Sequence, residues 1–344
     1  MKRHAALFAS ATLGLLASFV GVHGHPALAG NWPAQRTGYV KPVSFDNVSF
    51  SYGSSLAAAV IGHQAPAYDF LGAGTVPSHI EFMFNGYILP RDNHLVGVAV
   101  YPLQSPTGGN TIIQDQANRL RSLLRQRPVL SAQRDLPYLP PIEAAEMFHA
   151  KEAYVNFQNG AGISYLTYFT QAAATVTNAM PVVYTFQGLT NDGKAYVSIQ
   201  FPLFVPFLPN AAPSQSAGSL DAAHFDAYVR ALVARLNRLP DDQYVPHLTY
   251  LGTLARSVDA MPTFSGPPTV ILDVVAGSQG YTGANLRAQP SKQSALLTLI
   301  PNAASVLADP QTVRGDGASW YRVTYKGQSG YVLASLLRIS ECAC

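Results

Sequence analysis

The chain reads as an α+β protein: an antiparallel sheet with two packed helices, followed by a small β-barrel made of short strands. Three observations carry this reading. Apolar and polar residues alternate over several strand-length segments, two longer segments repeat at helical spacing, and after residue 269 short apolar runs are cut by Gly and Pro. Composition agrees, because 18 Tyr and 16 Phe accompany only 12% charged residues, the balance of a β-rich protein with an uncharged polar surface.

The first segment, residues 1–29, has the three parts of an export signal. Lys2-Arg3 is the charged start, Ala5 to Val22 the apolar run, and Ala27-Leu-Ala29 the small-residue cleavage site. Ser10, Thr12, Gly14 and Ser18 dilute the run, which argues for cleavage before Gly30 over a membrane anchor. The expected product is secreted or held in the cell envelope and keeps no integral membrane segment. Its Lys and Arg fall from 22 to 20 against 19 acidic residues, so the net charge drops from +3 to +1. A near-neutral chain has no broad field for nucleic acid, and that partner is excluded. Two cysteines, Cys342 and Cys344, sit in the tail 340–344. A bridge between them closes too small a loop to restrain the fold, and pairing between chains is the alternative.

After a lead over residues 30–44, Val48, Phe50 and Tyr52 alternate as a strand, and Asn47 of the Asn47-Val-Ser49 sequon reads as an outward polar residue on it. Ile80, Phe82 and Phe84 make a second strand, with His79 on its outward side, and Val96, Val98 and Val100 a third. Ile113, Ala117, Leu120 and Leu124 share one face of a helix over 111–127, stopped by Pro128. Pro140-Pro141 opens a short helical piece over 142–151. Two hairpins follow: 154–157 with 163–169 around Gln158-Asn-Gly-Ala-Gly162, and 182–189 with 195–201 around Thr190-Asn-Asp-Gly193. In both, Gly is expected to supply positive φ. A polar loop, Pro209 to Gly218, leads to a helix starting at Ser219 or Asp221, with Phe225, Tyr228, Leu232, Val233 and Leu236 inward, that ends before Pro240. Residues 45–260 thus read as one α+β domain, 261–269 as a Pro/Gly linker, and 270–339 as the barrel.

No spacing in residues 45–260 carries chemistry. There is no His-Glu-x-x-His, Gly-x-Ser-x-Gly or phosphate loop, and His149-x-x-Glu152 stands without a second His at helical reach. His63, His79, His94, His149, His224 and His247 are scattered singly, and Asp241-Asp242 follows a helix-ending Pro as a solvated turn does. The tail cysteines fall short of a four-ligand zinc site and cannot serve as a nucleophile inside a folded domain. No catalytic residue, metal site or cofactor is assigned. Carboxylates distant in sequence can still meet in a fold, so a wall or glycan hydrolase of unknown type is kept as the alternative.

The C-terminal segment carries three ordered motifs: Asn285-Leu-Arg287, Trp320-Tyr-Arg-Val323 and Gly330-Tyr-Val332. Their order and spacing resemble the bacterial SH3 (SH3b) domain, with Gln289 departing from the Gly that many relatives carry before Pro. That resemblance implies an SH3-like β-barrel used for docking, with Leu286, Val323 and Val332 in the core and Arg287 anchoring by hydrogen bonds. The preceding region, in Phe157-Gln-Asn-Gly160 and Tyr184 to Gly193, is similar to an uncharacterised module found before bacterial SH3 domains, which implies no activity. The aromatics Tyr281, Trp320, Tyr325 and Tyr331 are the expected binding residues, since each joins a flat ring to a hydrogen-bonding tip. The expected partner is cell-wall peptidoglycan or an extracellular protein or peptide. A barrel that serves only as an intramolecular brace is the third reading.

Overall fold

The computed structural model describes residues 39–89, 96–104, 111–171, 173, 175–211 and 222–339. The segment 1–29 expected to be an export signal, His94, Ser219, Asp221, most of the Pro209–Gly218 loop and both cysteines lie outside the described residues.

The strands β1 (Val40–Phe45) and β2 (Val48–Gly53) form a hairpin over the two-residue turn Asp46-Asn47. Both turn residues have positive φ, 44° and 57°, the type I′ geometry that matches strand twist. Asn47 is therefore a turn residue, not the outward strand residue that alternation predicts. Next come β3 (Ala59–Ala65), the small ribbon β4 (Tyr68–Asp69) and β5 (Thr75–Val76), then β6 (His79–Asn85) and β7 (Gly97–Pro102). After α1 (Thr111–Gln126) come β8 (Ala145–Phe157), β9 (Gly160–Thr170), β10 (Val182–Thr190) and β11 (Ala195–Leu203). The helices α2 (Ala222–Arg238) and α3 (Leu248–Ser257) follow, then β12 (Asp259–Ala260).

Seven of these strands make one antiparallel sheet in the order β3-β6-β7-β11-β10-β9-β8. Every residue of β10 and β11 is buried, because both faces of the sheet centre are covered. On one face Ile113, Ala117 and Leu120 of α1 join Leu136, Tyr138 and Leu139 against Ile163, Tyr165 and Tyr196. On the other, Phe50 of β2 meets Phe82 edge-on at 4.9 Å, and Phe84 meets Phe201 at 4.9 Å. A second sheet, β1-β2-β12, supplies that cover together with α3.

This arrangement corrects four expectations. Three helices are present among the described residues, not two: α3 buries Leu248, Leu251, Leu254 and Ala255. Residues from 145 onward are strand, not helix, because β8 pairs with β9 through two bulges, at Glu146/Phe148 and Ala150/Ala153, with Lys151 at φ 56°. Bulges break the two-residue alternation by which a strand is recognised. His79 does point away from the Ile80 face, but it is 1% exposed, since the opposite face is covered as well. Finally, Gly193 has the positive φ expected of it (67°), whereas Gly160 and Gly162 do not. Those two are glycines because a Cβ would collide with the carbonyl oxygens of Leu189 and Gln187 on β10.

A buried polar cluster pins the Pro-rich segment to the sheet. Leu139 N–H donates to Gln187 Oε1 at 3.0 Å, and Gln187 Nε2 donates back to Leu139 O at 3.3 Å, so one side-chain amide imitates a neighbouring strand. Gln187 Oε1 also accepts from Tyr196 OH at 2.8 Å, and Ser198 Oγ and Gln200 Nε2 both donate to Leu139 O.

The segment from Met261 to Thr269 has no regular structure, yet it is tied down. Met261 N–H donates to Asn47 O at 3.0 Å, Phe264 N–H to Asp46 Oδ2 at 2.7 Å, and Thr269 N–H to Gln64 O at 2.7 Å. Beyond it come β13 (Val270–Val274), β14 (Gly283–Arg287), β15 (Leu296–Pro301), β16 (Ser305–Gly315), β17 (Ala318–Tyr325), β18 (Gln328–Leu333) and β19 (Leu337–Ile339). They form a seven-stranded antiparallel sheet, β15-β14-β18-β17-β16-β13-β19. Its core holds Leu272, Val274, Leu286, Ile300, Val306, Val323 and Val332. Two further two-residue turns with positive φ throughout, Asp316-Gly317 and Lys326-Gly327, set the registers of β16/β17 and β17/β18.

Candidate functional site

Strand period and register decide which C-terminal side chains share a surface. Along β17, Val323 points into the core, so Tyr321 and Tyr325 share its side, and both pack partly against that core. Trp320, Arg322 and Thr324 face the other way. On β18, Val332 is inward and Tyr331 outward. Tyr325 and Tyr331 therefore lie on opposite faces of the sheet and cannot line one groove.

Trp320 is 2% exposed, and its indole N–H donates to Gly315 O at 2.8 Å. The expectation of an exposed indole is corrected: the ring is buried and its N–H is satisfied within the domain, which leaves it no free face. Tyr281 is 59% exposed, just before β14. Arg287 donates from Nη1 to Ser294 O at 2.7 Å, which anchors the loop between β14 and β15.

The outward face holds a row of residues in register across four strands. Leu296 lies opposite Arg287, Arg287 opposite Tyr331, and Tyr331 opposite Arg322. Leu299, paired with Asn285, extends the row along the edge strand β15. Leu296 and Leu299 are 56% and 48% exposed. A tyrosine flanked in register by two arginines, with two exposed leucines at one end, offers a ligand stacking, anion-accepting and apolar contacts together. Arg322 is 3.9 Å from Asp309 at the rim, a separation that leaves its donors largely open to solvent. Leu296, Leu299 and Arg322 escape sequence reasoning because single exposed side chains carry no motif; only the register assembles them.

The family model described as the bacterial SH3 domain matches residues 282–338. Residues 282–338 are a bacterial SH3 domain. The match covers about one sixth of the chain, and the outward row lies inside it. No curated protein and no solved structure matches the chain.

Outside the SH3 domain the fold gathers two ionisable clusters that the sequence scatters. Glu81 on β6 lies 2.9 Å from His79 Nε2 and 3.4 Å from His63 Nε2 of the paired strand β3. His79 Nδ1 is 2.8 Å from Pro77 O, and its ring stacks on Tyr101 at 4.5 Å. Burial pushes the Glu81 carboxyl up, but the two histidines outweigh it and hold it well below the usual carboxylate range. In the second cluster, the bulges of β8 bring Glu146 and Glu152 to 3.6 and 3.8 Å from the two ring nitrogens of His149. Glu146 also accepts from Leu136 N–H and Thr167 Oγ1, each at 3.0 Å. The three side chains are 5 to 10% exposed, and among the described residues no group of His, Cys, Asp and Glu has metal-binding geometry.

Burial pushes the His149 imidazolium down, but the carboxylates of Glu146 and then Glu152 outweigh it, so its pKa is raised. A raised folded-state value stabilises the fold fully below the unfolded value and loses that contribution as pH rises through the folded one. The urea midpoint of the native protein should therefore fall toward that of His149→Asn as pH rises above the ordinary imidazole value of about 6.5 into the alkaline range. A difference that stays constant or widens over that range contradicts the assignment. Glu81, with its lowered value, should act oppositely and lose its contribution only as pH falls into the acid range.

Proposed function

We propose that the protein is an exported, non-catalytic binding protein whose SH3 domain docks onto cell-wall glycopeptide through its outward row. The observation that carries this is Tyr331 set in register between Arg287 and Arg322 beside exposed Leu296 and Leu299. A tyrosine ring suits a sugar face, and the flanking guanidinium groups suit the carboxylates of a wall peptide. Bacterial SH3 domains commonly bind cell-wall material, and the export signal over 1–29 would deliver the chain to it. The seven strands are read as a closed SH3-like barrel, with residues 45–260 as a separate α+β domain. Tyr281 is assigned to the rim of this surface and Tyr325 to its opposite side. The non-catalytic reading is supported at one of the two ionisable clusters, since Glu146, His149 and Glu152 are each no more than 10% exposed.

Sedimentation with isolated peptidoglycan tests the reading. The native protein should pellet with the wall material, and Tyr331→Ala should weaken the apparent affinity, read from the binding isotherm, about tenfold, the loss expected for one central aromatic anchor of about 1.4 kcal/mol. Tyr325→Ala should reduce it little. Equal pelleting of a folded Tyr331→Ala variant would remove the proposed row from the binding surface.

A further inference from the structure

An open depression lies at the C-terminal end of α2, outside the SH3 domain. Arg235 and Arg238 are three residues apart, so they share a helix face, and both are exposed. Each is held in place by a contact of its own. The Arg235 guanidinium carbon lies 3.9 Å from the centroid of the Phe207 ring, which fixes its plane and leaves its edge free. Arg238 donates from Nε to Ala234 O at 3.1 Å, which leaves its terminal nitrogens as unused donors. Among the described residues neither guanidinium has a carboxylate within ion-pair range, and the nearby Asp241 is engaged by Lys151 Nζ at 2.8 Å. The negative end of the helix dipole favours cations here by about 0.3–1 kcal/mol, which accounts for basic residues but not for their shared concavity.

That concavity is an open surface depression of about 470 Å³ lined by the two arginines, Phe207, Pro206, Leu239, Pro240 and Gln243. Two arginines that line one depression repel each other and favour an oxyanion between them. We propose that the groove receives the C-terminal carboxylate of a short peptide. The guanidinium forks take the planar carboxylate, the last side chain lies on Pro206, Leu239 and Pro240, and Gln243 pairs with the preceding peptide group. A free phosphate would satisfy the forks but leave the apolar walls wet. The volume suits a small ligand of a few residues.

The test is an NMR titration of the whole protein with acetyl-Ala-Ala-Ala as the free acid, the same peptide as its C-terminal amide, and inorganic phosphate. The acid should bind at least about tenfold more tightly than the amide or phosphate. Arg235→Gln with Arg238→Gln should bring the acid down to the level of the amide, with an unchanged unfolding midpoint because both side chains are exposed, and Tyr331→Ala should leave the acid's affinity as it was. Equal binding of acid and amide, no binding of either, or full acid binding by the double arginine variant overturns the proposal. Phosphate binding as tightly as the acid overturns the peptide assignment in favour of a general anion site.

Discussion

Trp320→Ala is expected to unfold the SH3 domain rather than weaken a ligand contact. Trp320 is the largest fully buried side chain among the described residues, and its N–H has its partner in Gly315 O. Truncating a buried aromatic of this size costs about 3–5 kcal/mol, from lost apolar burial and the cavity left behind. A domain of this length has only about 3–5 kcal/mol of its own to lose, so the substitution consumes most of it. Hydrogen exchange should show the amides of β14, β17 and β18 losing protection, while those of β10 and β11, buried in a different sheet, keep theirs. Trp320→Phe, which keeps a ring and loses the N–H donor, should cost less than half as much. A Trp320→Ala protein with native protection in β17 and reduced wall binding would mean that the indole is a ligand contact after all.

Gln187→Ala is expected to destabilise the large sheet by about 3–5 kcal/mol. The reason is an asymmetry in the cluster around Leu139. Leu139 O keeps Ser198 and Gln200 as donors when Gln187 is removed, but Leu139 N–H and Tyr196 OH each lose the acceptor they use, Gln187 Oε1. A buried donor left unsatisfied costs about 1–3 kcal/mol, and two are created along with a cavity. Gln200→Ala leaves the carbonyl of Leu139 bonded and should cost only about 1 kcal/mol. Chemical denaturation of the two variants decides the matter: equal losses would show that Gln187 is not the centre of the cluster.

Local chemistry made much of this fold readable. Asn191-Asp-Gly193 announces the β10/β11 hairpin because Gly193 takes positive φ, and Ile113, Ala117 and Leu120 mark the buried face of α1 because their spacing matches a helical turn. The failures have equally local causes. The bulges of β8 disguise a strand, and α3 is ten residues long with Gly252 inside it, too short a pattern to stand out. The motifs Asn285 to Arg287, Trp320 to Val323 and Gly330 to Val332 located the SH3 domain, since its core residues are spaced by the strand period. Its candidate surface was not legible, because the facing of Tyr325 and Tyr331 follows from parity against Val323 and Val332, and the pairing of Leu296, Arg287, Tyr331 and Arg322 depends on which strands are neighbours. The same holds for His63, which register alone brings opposite Glu81, whereas His79 and Glu81 share a face by the strand period.

The most direct measurement is a map of a soluble glycopeptide fragment on the isotopically labelled protein by NMR chemical-shift changes. Shifts should concentrate on Asn285, Arg287, Leu296, Leu299, Arg322 and Tyr331, with the Trp320 indole signal and the β10/β11 amides unmoved. Shifts centred on Tyr325 and the core side of β17, or on residues of the large sheet with the outward row silent, would contradict the docking face assigned to this domain.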